Sequence, residues 1–243
     1  MPAREMVPFL FLADPFSALL HVTACLVFLW VSSTLLEAAG SDRRRLRAAW
    51  RYSIATSAMF LFSATYHALP SHSAWRPLFW RLDHGSIWLA IVSAGCMIQA
   101  TFLPRWTWAR AWRRLFWGAG ITGSLLELTV LDLLPMWVSP LLYICIGWSG
   151  LPMVIAAWKA GVRQAPILCF VSGVLATLGG LMDSLTWPMV VPGVIEAHEC
   201  MHLATTAAGL VWLLPIWLAS RETLELRAER ALPAPLLVNV HAD

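Results

Sequence analysis

Polar positions along this chain are so few and so bunched that the sequence divides into seven apolar stretches of about 20 residues each. They run Ser17–Ala39, Arg51–Leu69, His84–Leu103, Leu115–Leu134, Trp137–Trp158, Ala165–Trp187 and His198–Ala219. Each is long enough to cross a hydrocarbon core about 30 Å thick as a helix. In lipid a backbone must satisfy its own hydrogen bonds, so only helices or closed barrels span. Runs this continuous lack the alternation of barrel strands. The pattern predicts an all-α fold: a seven-transmembrane helical bundle forming a single domain over residues 1–243. A short lead, 1–16, precedes it, and a charged, loosely ordered tail, 221–243, follows. The first stretch exceeds the apolar core of a signal peptide and is followed by Arg43, Arg44, Arg45 and Arg47, a stop-transfer pattern, so it is expected to stay.

Composition agrees with the pattern. Of 243 residues, 59% are hydrophobic and 13% charged, where a soluble domain carries roughly 25% charged residues. Mean hydropathy is +0.67. The five cysteines (Cys25, Cys96, Cys145, Cys169, Cys200) stand singly, without C-x-x-C spacing, and read as small packing residues. No basic array with interleaved aromatics points to nucleic acid. Tryptophans favour span ends (Trp50, Trp106, Trp112, Trp137, Trp187), where indole suits the membrane interface.

Charge placement orients the bundle. Of 17 basic residues, only Arg4, Arg76 and Arg81 fall on the side that holds the N-terminus. The positive-inside rule then puts the N-terminus outside and the C-terminus in the cytoplasm, in an inner membrane if the source is bacterial. Alternation also places the start of spans 1, 3, 5 and 7 at the same face as the end of spans 2, 4 and 6. His21, His67, Asp83, His84, Glu127, Asp132, Asp183, His198, Glu199 and His202 therefore share one leaflet, whichever way the protein is inserted.

Ionisable groups inside a membrane are costly and mark function. In HECMH, His198 and His202 stand at i and i+4, one turn apart on one helix face, a spacing at which two imidazoles grip one ion. SATYH sets Ser63 and His67 at the same spacing and depth on span 2, making His67 a third candidate ligand. Three imidazoles and an open position form a catalytic type of zinc site, although imidazole also accepts copper, iron and nickel. RLDHGSIW brings Asp83 into the same leaflet, where a carboxylate can hold water or take its proton, or can simply pair with Arg81.

These three elements, S-x-x-x-H in span 2, D-H at the start of span 3 and H-E-x-x-H-L in span 7, resemble the progestin-and-adipoQ-receptor superfamily, in particular its hemolysin III branch. The resemblance implies one zinc ion held by His67, His198 and His202, with Asp83 reaching it through water and Ser63 beside them. His21 matches a histidine that the family places early in its first span, with a cavity-lining, capping or packing role. Family members with ceramidase activity imply a zinc-dependent hydrolase of a ceramide-like lipid amide, with Asp83 as general base and a membrane lipid as substrate or ligand. The alternative is a non-catalytic receptor or homeostasis factor stapled by zinc, or a pore-forming hemolysin-like protein. An intramembrane protease with Glu199 as base is a further reading, against which no D-G segment follows on a later span. Glu127, Asp132 and Asp183 map to no family role. They are read as partners for Trp or Ser donors, as groups backing the site, or as a proton path.

Overall fold

The computed structural model describes residues 7–9, 12–103, 107–130, 133, 135 and 137–231. Arg4, Trp106, Asp132, His241 and the proline-containing end of the tail lie outside the described residues. Those described form eight helices: α1 (Pro15–Ala39), α2 (Arg43–Ala68), α3 (Arg76–Phe102), α4 (Thr107–Thr129), α5 (Val138–Trp148), α6 (Leu151–Lys159), α7 (Gln164–Ser184) and α8 (Ala197–Ala231). The all-α expectation holds.

Five stretches are long and apolar enough to cross a membrane: α1, α3, the Val138–Lys159 pair α5–α6, α7 and the Ala197–Arg227 part of α8. α2 and α4 fall below that measure because of the polar and charged residues they carry. α2 opens on a run of arginines and turns Ser53, Thr56, Ser63 and His67 into the protein, while α4 buries Glu127 completely. Helices also outrun the apolar stretches that announced them. α2 begins at Arg43 because the Asp42 carboxylate caps it, accepting from the amides of Arg44 and Arg45. α8 continues through the charged RETLELRAER stretch to Ala231. Hydropathy marks the apolar middle of a helix and is blind to the charged turns that extend it.

The expected fifth span is broken at Ser149 and Gly150. Pro152 has no N–H to continue the ladder, and the Met153 amide bonds Gly150 instead of Ser149. The Ser149 carbonyl, so released, accepts from the Trp112 indole at 3.4 Å.

α1 packs on α2, α2 on α3, α3 on α4 and α7 on α8, and α8 also closes against α1. α3 is the central rod: it touches α2, α4, α5, α6 and α8, and 67% of its most apolar stretch is buried, against 28% to 33% for the other four spans. The main core fills the space between α1, α2, α3 and α8 with Phe28, Leu35, Tyr52, Phe60, Ile98, Leu213 and Ile216. Outward faces remain apolar, with Leu26, Trp30, Ile54, Leu61, Ile121 and Leu178 exposed, as a lipid-facing surface requires. All five cysteines are free.

Two devices fix the α2–α3 hairpin, which carries half of the site. At one end Arg44 and Arg45 donate to the carbonyls of Gln99 and Thr101, the latter at 3.1 Å, satisfying acceptors where α3 ends. At the other end Arg76 donates to the carbonyls of Tyr66 and Leu69 and lies 4.4 Å over the Tyr66 ring. α4 then packs closely on α3 because its glycines face bulky residues. A Cβ at Gly120 would meet the Val92 side chain at 2.5 Å, and one at Gly123 would overlap the Trp88 ring. Gly123→Leu is therefore expected to destabilise the bundle by about 1–3 kcal/mol, the usual cost of overpacking. The check is a thermal melt of detergent-purified protein followed by size-exclusion chromatography, and an unchanged midpoint would contradict this packing.

Candidate metal centre

The site lies at the end of the bundle opposite the Arg44–Gln99 contact, where α2 ends and α1, α3 and α8 begin. His67 occupies the last turn of α2. His198 and His202 occupy the first two turns of α8, one above the other, as their i, i+4 spacing dictates. The fold brings the three rings together. His202 Nε2 is 3.0 Å from His67 Nε2 and 3.0 Å from His198 Nε2. His67 and His202 are buried, and the His198 side chain is 22% exposed.

The far side of two of these rings is held by carboxylates. His67 Nδ1 is 2.8 Å from Asp14 Oδ2, and His198 Nδ1 is 2.9 Å from Asp183 Oδ1. Asp14 is also the N-cap of α1, accepting from the Ser17 amide at 3.1 Å, and its own amide donates to the His67 carbonyl at 2.9 Å. Burial alone would raise the Asp14 carboxyl above its usual value, but hydrogen bonds and charge attraction from His67, with a further bond from Ser17, outweigh it and hold the group below that value. An ionised carboxylate can only accept, so Nδ1 of His67 carries the proton and, in the neutral ring, Nε2 presents a lone pair. A carboxylate oxygen of Asp183 meets Nδ1 of His198 in the same way, and by donating there the ring turns its Nε2 lone pair toward His202.

That tautomer assignment is a test of whether the site fits a metal ion. With lone pairs on Nε2 of His67 and His198, a proton on Nε2 of His202 could satisfy only one of the two 3.0 Å contacts. The other sets bare nitrogens against each other. A cation shared by all three resolves the conflict. Tetrahedral zinc with Zn–N near 2.0–2.1 Å keeps its nitrogens about 3.3 Å apart, close to the spacing seen here. The imidazole–carboxylate pairs are likewise the usual backing of metal-bound histidines. The residues fit the group.

A fourth ring belongs to the cluster. His21, on α1, sets its ring edge-on to His202 with centroids 4.4 Å apart. One ring nitrogen each from His21, His67 and His202 lies within 4.8 Å of the others, so these three buried histidines could hold a metal ion. The two groupings differ in their third member. The 3.0 Å contacts and the carboxylate backing favour His198 over His21 as the partner of His67 and His202.

Asp83 and Ser63 complete the surroundings. Asp83 is buried on α3, two turns into the helix, with Ser63, His67, His84 and His198 as its polar neighbours. Ser63 Oγ is buried and finds no partner at hydrogen-bond distance among the described residues. His84 does not join the cluster: its Nδ1 contacts the Trp80 carbonyl at 2.9 Å and its ring lies against Trp80. Glu199 serves the start of α8, accepting from the Glu196 amide at 2.9 Å. Glu127 accepts from Tyr143 at 2.7 Å and from Trp88 at 3.4 Å, tying α4 to α5 and α3. His72 is exposed in the α2–α3 loop.

Fold and site together define an integral membrane protein of helical class with a buried histidine cluster able to hold a metal ion. The chain matches the family described as Haemolysin-III related over residues 9–213, most of its length, and belongs to that family.

Asp14 is the residue that sequence reasoning missed. The D-P pair announces an N-cap followed by a proline in the first turn, but nothing local says that its second oxygen reaches His67. Asp14→Asn and Asp183→Asn are each expected to weaken zinc affinity about 10- to 100-fold while the fold persists. Competition of the purified variants against a zinc chelator measures this, and wild-type affinity in both would overturn the backing role.

Proposed function

We propose that this chain holds one zinc ion through His67, His198 and His202 and hydrolyses a membrane lipid at an amide bond of the ceramide type. The observation that carries the reading is Asp83 with Ser63. A staple needs only ligands, whereas here a buried carboxylate and the buried serine hydroxyl beside it adjoin the histidines.

When bound, zinc supplies a Lewis acid that polarises a carbonyl and acidifies water. The residues of the chain supply position and proton handling. Asp14 and Asp183 keep the Nε2 atoms of His67 and His198 turned inward, so the cluster is set before any substrate arrives. Asp83 accepts a proton from the attacking water and returns it to the departing amine, the work of a general base and then acid. Ser63 donates to the water or to the developing oxyanion. In this reading α2 and α4 join the five apolar stretches to give seven spans, with the N-terminus outside, the C-terminus cytoplasmic and the site in the outer leaflet. The scarcity of arginine at the histidine end supports that orientation.

Asp83→Asn is expected to lower release of fatty acid from ceramide by about 10²–10⁴-fold, the usual worth of a positioned acid–base group, with zinc content and melting temperature unchanged. Zinc-loaded wild type that releases no fatty acid from any lipid amide or ester in a broad panel would sink the hydrolase reading. The second reading, a zinc-stapled receptor, homeostasis or pore-forming protein, draws support from the line Asp14–His67–His202–His198–Asp183, which links α1, α2, α8 and α7. Under it, His198→Ala lowers stability and function in proportion.

A further inference from the structure

His21 is 4% exposed, and neither of its ring nitrogens has a hydrogen-bond partner among the described residues. An imidazole always carries at least one N–H, and a donor buried in a membrane bundle without a partner is unfavourable. The ring is enclosed by Phe60 at 5.9 Å, His67 at 5.7 Å and the edge of His202 at 4.4 Å, centroid to centroid. The orphan ring of His21 thus reaches from α1 to the edge of the cluster formed by His67 and His202.

A packing histidine and a fourth ligand both describe this ring poorly. Packing alone is served better by phenylalanine, which brings no orphan N–H into the core. A ligand would bring its nitrogen into the 3.0 Å contacts that join the other three rings, and the His21 nitrogens make no such contact. Within 4.8 Å of the nitrogens of His67 and His202, yet outside bonding distance, His21 stands as a second neighbour of the centre.

We propose that His21 is the hydrogen-bond donor for the oxygen-bearing molecule that the histidine centre takes up from outside the chain: a carboxylate, a hydroxamate or the carbonyl of a substrate. A neutral ring N–H aimed at such an oxygen satisfies the orphan donor only when the molecule is present, and it stabilises negative charge developing there without giving up its proton. The proposal deepens the metal reading of the site and rests on it, but it does not require that the bound molecule be a lipid or be hydrolysed.

The test uses the full chain in detergent, with zinc replaced by cobalt, and acetohydroxamate as probe, read by visible absorption and metal analysis. His21→Phe and His21→Gln are both made, since the amide of glutamine keeps a donor. The expected result is one metal ion per chain in wild type and both variants. Acetohydroxamate should bind roughly tenfold more weakly to His21→Phe, the worth of about one hydrogen bond, and His21→Gln should recover most of that loss. Loss of the metal from both variants would make His21 a ligand and overturn the proposal, as would wild-type probe affinity in His21→Phe. Wild type that binds the probe with the expected His21 dependence yet cleaves no lipid would sink the hydrolase reading alone and leave the donor in place.

Discussion

A His202 nitrogen held 3.0 Å from a nitrogen of His67 and 3.0 Å from one of His198, inside a membrane bundle, is the constraint on which the rest of the site depends. Carboxylates behind His67 and His198 remove the easy way out, in which one ring turns or changes tautomer to make an ordinary hydrogen bond. The contact therefore asks for a cation, and the surrounding helices are arranged so that it cannot relax. Asp14 caps α1 and at the same time orients His67, so the start of one helix and the end of another are set by a single side chain. Asp183, in the last turn of α7, orients His198 at the start of α8.

The packing beneath the site explains how such a contact is held. α3 runs through the middle of the bundle, clamped to α2 by arginines at both ends and approached by α4 through glycines that leave room for Trp88 and Val92. Asp83 reaches the histidines from this central rod, the most enclosed of the five apolar stretches. Glu127 joins Trp88 and Tyr143 nearby, so the buried carboxylate of α4 works as a hydrogen-bond acceptor between helices. Lipid offers no hydrophobic drive between helices, and close approach with satisfied polar contacts takes its place.

Much of this was legible in the residues. The i, i+4 spacings of Ser63 with His67 and of His198 with His202, together with the alternation of spans, are enough to place the cluster at one end of the bundle. Helix lengths were not legible, because the arginines of α2 and the charged end of α8 are helical without being apolar. The break at Ser149–Gly150 was not anticipated within the expected Trp137–Trp158 span, although Pro152 stands inside that otherwise uniform stretch. Asp14 was given no role, and Asp183 and His21 only open alternatives, for a different reason. Each acts across helices far apart in sequence, and local spacing carries no record of which side chains meet. An N-cap aspartate reads the same whether its second oxygen faces solvent or a histidine 53 residues away.

The central claim is that these histidines hold a metal ion, and elemental analysis of the purified protein tests it most directly. Wild type, His202→Ala and, as an exposed control, His72→Ala would be expressed with zinc supplied and freed of loosely bound metal. The account predicts one zinc per chain in wild type and in His72→Ala, and none above background in folded His202→Ala. A full equivalent retained by His202→Ala, or folded wild type that takes up no metal, would contradict it.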